Sequence, residues 1–175
     1  KLRITGGEPL VRRNILSLFD HLGSHLGQGL EELTLTTNAT LLERYADDLQ
    51  RAGVRRVNIS LDTLDPQRFT GLTRTGDFAN VMRGIDAAAR AGLDIKINTV
   101  ALKGVNDMEF DDLIAWCGER GFDLTFIESM PMGDIGALRD NHFLALDEVR
   151  ERIEKNWTLT PSSHTSGGPS RYTRR

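Results

Sequence analysis

Gly53-Val54-Arg55-Arg56-Val57-Asn58-Ile59-Ser60 decides the fold. A glycine ends the preceding element, an apolar residue and two polar residues come next, and apolar and polar residues then alternate. Alternation with β-branched residues is the period of a strand. The same unit recurs as Gly29-Leu30-Glu31-Glu32 before Leu33-Thr34-Leu35-Thr36 and as Gly92-Leu93-Asp94 before Ile95-Lys96-Ile97-Asn98. It recurs again as Gly121-Phe122-Asp123 before Leu124-Thr125-Phe126-Ile127-Glu128. Leu2-Arg3-Ile4-Thr5 reads as one more strand without its lead-in.

Helical patterns fill the intervals. Ile15, Leu16, Phe19, Leu22 and Leu26 share one face. Thr40 with Glu43 reads as a capping box before Leu41, Leu42, Tyr45, Leu49 and Ala52. Asp77 can cap a helix carrying Phe78, Val81, Met82, Ile85 and Ala89. Asn106 with Glu109 can open another, carrying Phe110, Leu113, Ile114 and Cys117. Gly53, Gly92 and Gly121 stand where left-handed helix stops are wanted. A last helix is expected from Leu146 to Lys155, and a loose tail after it.

Five strands alternating with helices mean parallel βαβ units, in a barrel-like sheet or an open doubly wound one. Polarity favours the barrel. The set Leu2, Ile4, Leu33, Leu35, Val57, Ile59, Ile95, Ile97, Leu124 and Phe126 can face the helices. The opposite face then holds Arg3, Thr5, Thr34, Thr36, Asn58, Ser60, Lys96, Asn98 and Thr125. Closed eight-stranded barrels fill that interior with branched apolar side chains. A polar inner face therefore suggests a lumen for a polar ligand, against the plainer reading of one solvated face. Arg3 and Lys96 read as its two cations, with no acid beside them before the rim. Phosphate or carboxylate groups are the natural partners of such cations, and an internal ion pair is the alternative.

The 175 residues are 39% hydrophobic and 27% charged with a formal net charge of −3. That balance fits a soluble globular chain and argues against broad nucleic-acid or membrane binding. No apolar run approaches the roughly 20 residues of a span, and no secretory signal is visible, so a cytoplasmic location is expected.

Thr5-Gly6-Gly7-Glu8-Pro9 comes directly after the first strand. Its glycines let backbone approach a ligand, and Glu8 offers a carboxylate; a tight turn with a surface glutamate is the plain alternative. Thr36-Thr37-Asn38, Ser60-Leu61-Asp62, Asn98-Thr99 and Glu128-Ser129-Met130 converge on the carboxyl ends of the strands. Parallel sheets keep their sites at that edge. His21 and His25 stand four apart but lack a third metal ligand. Cys117, the one cysteine, reads as core. Gly71-Leu72-Thr73-Arg74-Thr75-Gly76 lacks the strand and the Lys-Ser/Thr end of a phosphate loop.

Lys1-Leu2-Arg3-Ile4-Thr5-Gly6-Gly7-Glu8-Pro9-Leu10 resembles the second-strand motif of radical S-adenosylmethionine enzymes. Leu35-Thr36-Thr37-Asn38 and Asn58-Ile59-Ser60-Leu61-Asp62 are similar to the third- and fourth-strand motifs. Arg3, Lys96-Ile97-Asn98-Thr99-Val100 and Phe126-Ile127-Glu128-Ser129-Met130-Pro131-Met132-Gly133 resemble the GTP 3′,8-cyclase branch. So does the stretch from Ser60 through Asp65, Phe69, Leu72-Thr73-Arg74, Phe78 and Gly84-Ile85. The resemblance implies a partial six-stranded (β/α) barrel of the TIM type. Residues 1–145 would be the radical core, strands two to six. Residues 146–175 would be a helix and tail leading toward a further cluster domain.

It also implies S-adenosylmethionine as cofactor, contacted by Gly6, Gly7, Ser60 and Met130 with Glu8 in support. GTP would be contacted by Arg3, Thr36 and Lys96. The implied reaction is the radical conversion of GTP to its 3′,8-cyclo-7,8-dihydro form, the first step of molybdenum-cofactor synthesis. The product would pass to a cyclic pyranopterin monophosphate synthase, and a homodimer is compatible. The four-iron, four-sulfur clusters of this family need cysteine thiolates. These are expected before Lys1 and after Arg175, so no metal ligand is expected within the chain. Ala39 stands where the family usually has glycine. The rival readings are a radical enzyme of a peptide- or sulfatase-maturing branch, a barrel enzyme using Lys96 as a Schiff-base nucleophile, and an inactive binding module.

Overall fold

Five short runs become strands in the computed structural model, which describes residues 1–74, 76–129, 142–163 and 172–174. They are β1 (Leu2–Ile4), β2 (Leu33–Thr37), β3 (Arg56–Ser60), β4 (Asp94–Ala101) and β5 (Asp123–Glu128). All neighbours are parallel and the order is β1-β2-β3-β4-β5. A doubly wound sheet reverses its strand order at a switch point. Here there is no reversal, so the sheet is singly wound, as part of a (β/α) barrel is. It does not close.

The crossovers are α1 (Ile15–Gly23), α2 (Leu42–Arg51), α3 (Pro66–Thr73), α4 (Phe78–Arg90) and α5 (Phe110–Arg120). The apolar side of β2, β3 and β4 is buried, and Thr34, Asn58 and Lys96 on the other side are buried as well. Leu33, Leu35, Val57, Ile59, Ile95 and Ile97 lie in one core cluster with Phe19, Leu49, Ile85 and Cys117 from the helices. Each fully buried Leu, Ile or Phe contributes about 1.5–3 kcal/mol of transfer free energy, so this shared apolar face is the main source of cohesion. α6 (Leu146–Ile153) buries Val149 and Ile153 in a second cluster with Phe110, Ala101 and Leu144. Just beyond α6, Trp157 Nε1 anchors the chain to α5 by donating to Asp111 Oδ1 at 2.7 Å.

The glycine stops hold. Gly121 ends α5 at φ 69°, where Phe122 N–H donates to Cys117 O; Gly53 and Gly92 are also at positive φ. Asp77 caps α4 by accepting from Asn80 N–H at 3.0 Å. The expected capping box of Thr40 with Glu43 does not form, and neither Asn106 nor Glu109 caps α5 through its side chain. Thr40 Oγ1 instead donates to Asn38 Oδ1, and Glu43 pairs with Arg83 of α4. Asn106 is fully buried and turns inward, accepting from Leu102 N–H and donating to Val100 O of β4 and to Asp62 O just beyond β3. Glu109 takes the hydroxyl of Thr63, the Leu64 amide and the Arg68 guanidinium. Glu43, Asn106 and Glu109 found partners away from their own helix ends, while Thr40 turned to nearby Asn38. α3 was not among the expected helices, although Asp65 caps it and Pro66 opens it.

The tail expected to be loose is partly ordered. β6 (Thr160–Pro161) pairs antiparallel with β7 (Thr173–Arg174), and Ser162 N–H donates to Tyr172 O. No helix among the described residues is long and apolar enough to cross a membrane.

Candidate functional site

Register settles which side chains share the face turned away from the helices. Arg3 stands beside Thr34, Thr34 beside Arg56, and Arg56 beside Asp94. Thr36 stands beside Asn58, Asn58 beside Lys96, and Lys96 beside Asp123. Ser60 stands beside Asn98, and Asn98 beside Thr125. In a parallel sheet, partners in register point to one side. Arg3, Thr36, Ser60 and Lys96 therefore line a single face, as the period-two pattern requires.

That face is less simple than the sequence suggested. A third cation lies on it: Arg56 begins β3 and pairs with Glu32 at 2.5 Å. Acids lie on it too, since Asp94 and Asp123 open β4 and β5 at the amino ends. Their polar lead-in positions extend the strands by one residue, which brings them into register with Arg56 and Lys96. Toward the carboxyl ends the face opens. Arg3 and Ser60 are exposed, and Thr36 and Asn98 are half-buried. No described ion pair involves Arg3. Lys96 is only 6% exposed, and its Nζ donates to the phenol oxygen of Tyr172 at 2.8 Å.

The turn after β1 is braced by Glu8. One carboxylate oxygen accepts from Leu10 N–H at 3.0 Å and from Thr37 Oγ1 at 2.8 Å. The other accepts from Asn38 N–H at 2.7 Å. Glu8 thus ties the Gly6-Gly7 turn to the end of β2. Gly6 lies at φ 146°, a conformation closed to other residues. A Cβ at Gly6 or Gly7 would meet nothing within 4 Å, so both backbones front open space.

Much of the remaining rim serves the loops themselves. Asn38 Oδ1 accepts from Thr40 N–H, and Thr99 Oγ1 donates to Leu61 O at 2.7 Å. Asp62 Oδ1 accepts from Val100 N–H at 2.8 Å. Burial holds the Asp62 carboxyl above its ordinary range, with that amide opposing. Glu128 accepts from Leu146 N–H at 3.1 Å. Four polar clusters do meet at one edge, but Thr37, Asn38, Asp62 and Thr99 are spent on protein groups. Thr36, Ser60 and Asn98 are the ones on the open face. Met130 lies outside the described residues.

His25 Nδ1 bonds His21 O at 2.9 Å, with the rings edge to face. No group of three His, Cys, Asp or Glu residues among the described residues could hold a metal. Cys117 is 2% exposed, and burial pushes its thiol up to about 12, with Arg120 opposing and Asp123 adding. A protonated core thiol does not fit as an iron–sulfur ligand. The Gly6-Gly7 turn and Ser60 do fit a ligand bound through backbone and hydroxyl groups, such as S-adenosylmethionine. Asn106 and Tyr172 were missed. Asn106 resembled a helix cap, and Tyr172 gave no local signal.

The family model described as the radical SAM superfamily matches residues 1–117. A GTP 3′,8-cyclase of Rhizobium etli (strain CIAT 652) is 56% identical over 174 residues, 99% of this chain and 50% of that protein. One from Paracoccus denitrificans (strain Pd 1222) is 55% identical over 175 residues, 99% of this chain and 51% of its own length. The chain spans about half the length of these curated relatives. The solved structure of anSMEcpe with bound AdoMet superposes with TM-score 0.63 at 20% identity, covering 87% of this chain and 42% of that one. Coproporphyrinogen III oxidase from Escherichia coli gives 0.62 at 15%, covering 87% and 39%. At those identities the structures speak for the fold.

Proposed function

This chain belongs to the radical SAM superfamily, and on that premise we propose that it is the central part of a GTP 3′,8-cyclase. The observation that carries the reading is the single sheet face that joins Arg3, Thr36, Ser60 and Lys96 beside an open Gly6-Gly7 turn. The identity to relatives of that name supports it over the peptide- and sulfatase-maturing branches and over a Schiff-base enzyme.

The residues divide by chemistry. S-adenosylmethionine is a zwitterion with a sulfonium, suited to the backbone of Gly6 and Gly7, the Ser60 hydroxyl and the segment holding Met130. When bound and reduced by one electron, it supplies the radical chemistry. GTP carries several negative charges, and Arg3 and Lys96 are the cations to receive them, with Thr36 between β1 and β3 as a hydroxyl partner. Glu8 keeps the glycine turn in position. The chain's own cysteine fits no cluster, so the cluster thiolates of the complete enzyme lie outside these residues. The chain alone would bind and orient, and would not turn over.

The test is a pair of equilibrium titrations on the complete enzyme and its Lys96→Ala variant. A charge-assisted contact is worth about 1.5–3 kcal/mol, so GTP affinity should fall roughly ten- to hundredfold. Affinity for S-adenosylmethionine should hold. Equal losses would mean unfolding, and an unchanged GTP affinity would remove Lys96 from the site.

A further inference from the structure

The group that covers Lys96 comes from the far end of the chain. Nζ donates to the Tyr172 hydroxyl at 2.8 Å and lies 4.9 Å from the centre of the ring. Tyr172 immediately precedes β7, and with Thr173 it lines a cavity of about 240 Å³ against Ile114 of α5, Phe126 of β5 and Phe122 in the turn between them. Lys96 is 6% exposed, whereas Tyr172 is half-buried. Of the two, Tyr172 stands nearer to solvent, so an anion that approaches Lys96 meets the phenol.

We infer that Tyr172 is a positioning residue for the anionic end of the substrate, acting through Lys96. The inference rests on the reading of Lys96 as the receiver of phosphate charge. A lysine ammonium rides on a flexible four-carbon stem, and fixing it costs rotamer entropy. A phenol that already holds the ammonium removes part of that cost before the substrate arrives. A hydroxyl oxygen accepts, so Tyr172 holds the Lys96 ammonium in place and leaves the contact with phosphate to the lysine. Asp123 stands beside Lys96 in register, and the phenol sits on the ammonium itself.

The complete enzyme and its Tyr172→Phe variant decide the matter. Phenylalanine keeps the ring against β5 and removes one hydroxyl. KM and Kd for GTP should rise about three- to tenfold, the size of one hydrogen bond. The change in kcat should be small, and the melting temperature and S-adenosylmethionine affinity should stay put. Inorganic tripolyphosphate, as a competitor without base or sugar, should weaken in parallel. In a Lys96→Ala background, Tyr172→Phe should add little, because its effect runs through the lysine. Unchanged affinity for both probes overturns the inference. So does tighter binding, which would make Tyr172 a plug that the substrate displaces, and so does an undiminished loss without Lys96. If the wild type binds tripolyphosphate but not GTP, the cyclase reading fails while the variant still tests the subsite. If it binds neither, both fall together.

Discussion

Ala39 shows how a residue can work against its own backbone. It is fully buried and sits at φ 66°. The left-handed region costs an L-residue about 1–2 kcal/mol, while losing one buried methyl costs about 0.8 kcal/mol. Ala39→Gly should therefore stabilise the fold by up to about 1 kcal/mol, read from chemical denaturation. The family resemblance already marked this position as one where glycine is usual. Asp62 is a second case. Its carboxyl is raised from its ordinary 3.8 by burial, so the folded state binds the proton more tightly than the unfolded chain. Stability from this group is then lost as pH rises above 3.8 through the folded value. Asp62→Asn should gain on the wild type as pH rises from about 3.5 to about 7, and an equal gap at both ends would refute the burial argument. Nothing in Ser60-Leu61-Asp62 told that the aspartate turns to Val100 rather than outward. That depends on β4 lying alongside, which spacing within one motif does not encode.

Elements were the most legible scale, because periodicity is a property of neighbours in the chain. The five strands and the left-handed stops could be read from alternation and glycine placement. Caps failed where tertiary partners won, as Asn106 and Glu109 did at α5. α3 was passed over although Asp65-Pro66 announces a helix start. Contact between elements was invisible. Gly84 of α4 is an example: a Cβ there would stand 2.2 Å from the carbonyl oxygen of Ala39. Backbone cannot yield as a side-chain tip does, so α4 lies this close to the loop before α2 only because residue 84 is glycine. Gly84→Ala should destabilise by about 1–3 kcal/mol, the usual cost of overpacking, despite the better helix propensity of alanine. A melting temperature at or above wild type would show that α4 can shift at no cost.

At the scale of the molecule, the face bearing Arg3, Thr36, Ser60 and Lys96 was legible because one parity rule spans the sheet. The closeness of Tyr172 to Lys96 was not, because 76 residues separate them and no pattern links them. The same sheet has two unequal margins. β1 has three residues and carries Arg3 close to Lys1, a charged and short border. β5 has six residues, with Leu124 and Phe126 half-buried and Ile127 37% exposed. Among the described residues, no strand pairs with its outer side. Unguarded backbone along an apolar strand is a template on which another chain can crystallise its own β-structure. This chain by itself should lose monomer with rising concentration, the growth starting at β5. Ile127→Lys, a single charge on that border, should raise the concentration at which light scattering first climbs. If scattering begins at the same concentration with or without the lysine, aggregation is seeded elsewhere than at this strand.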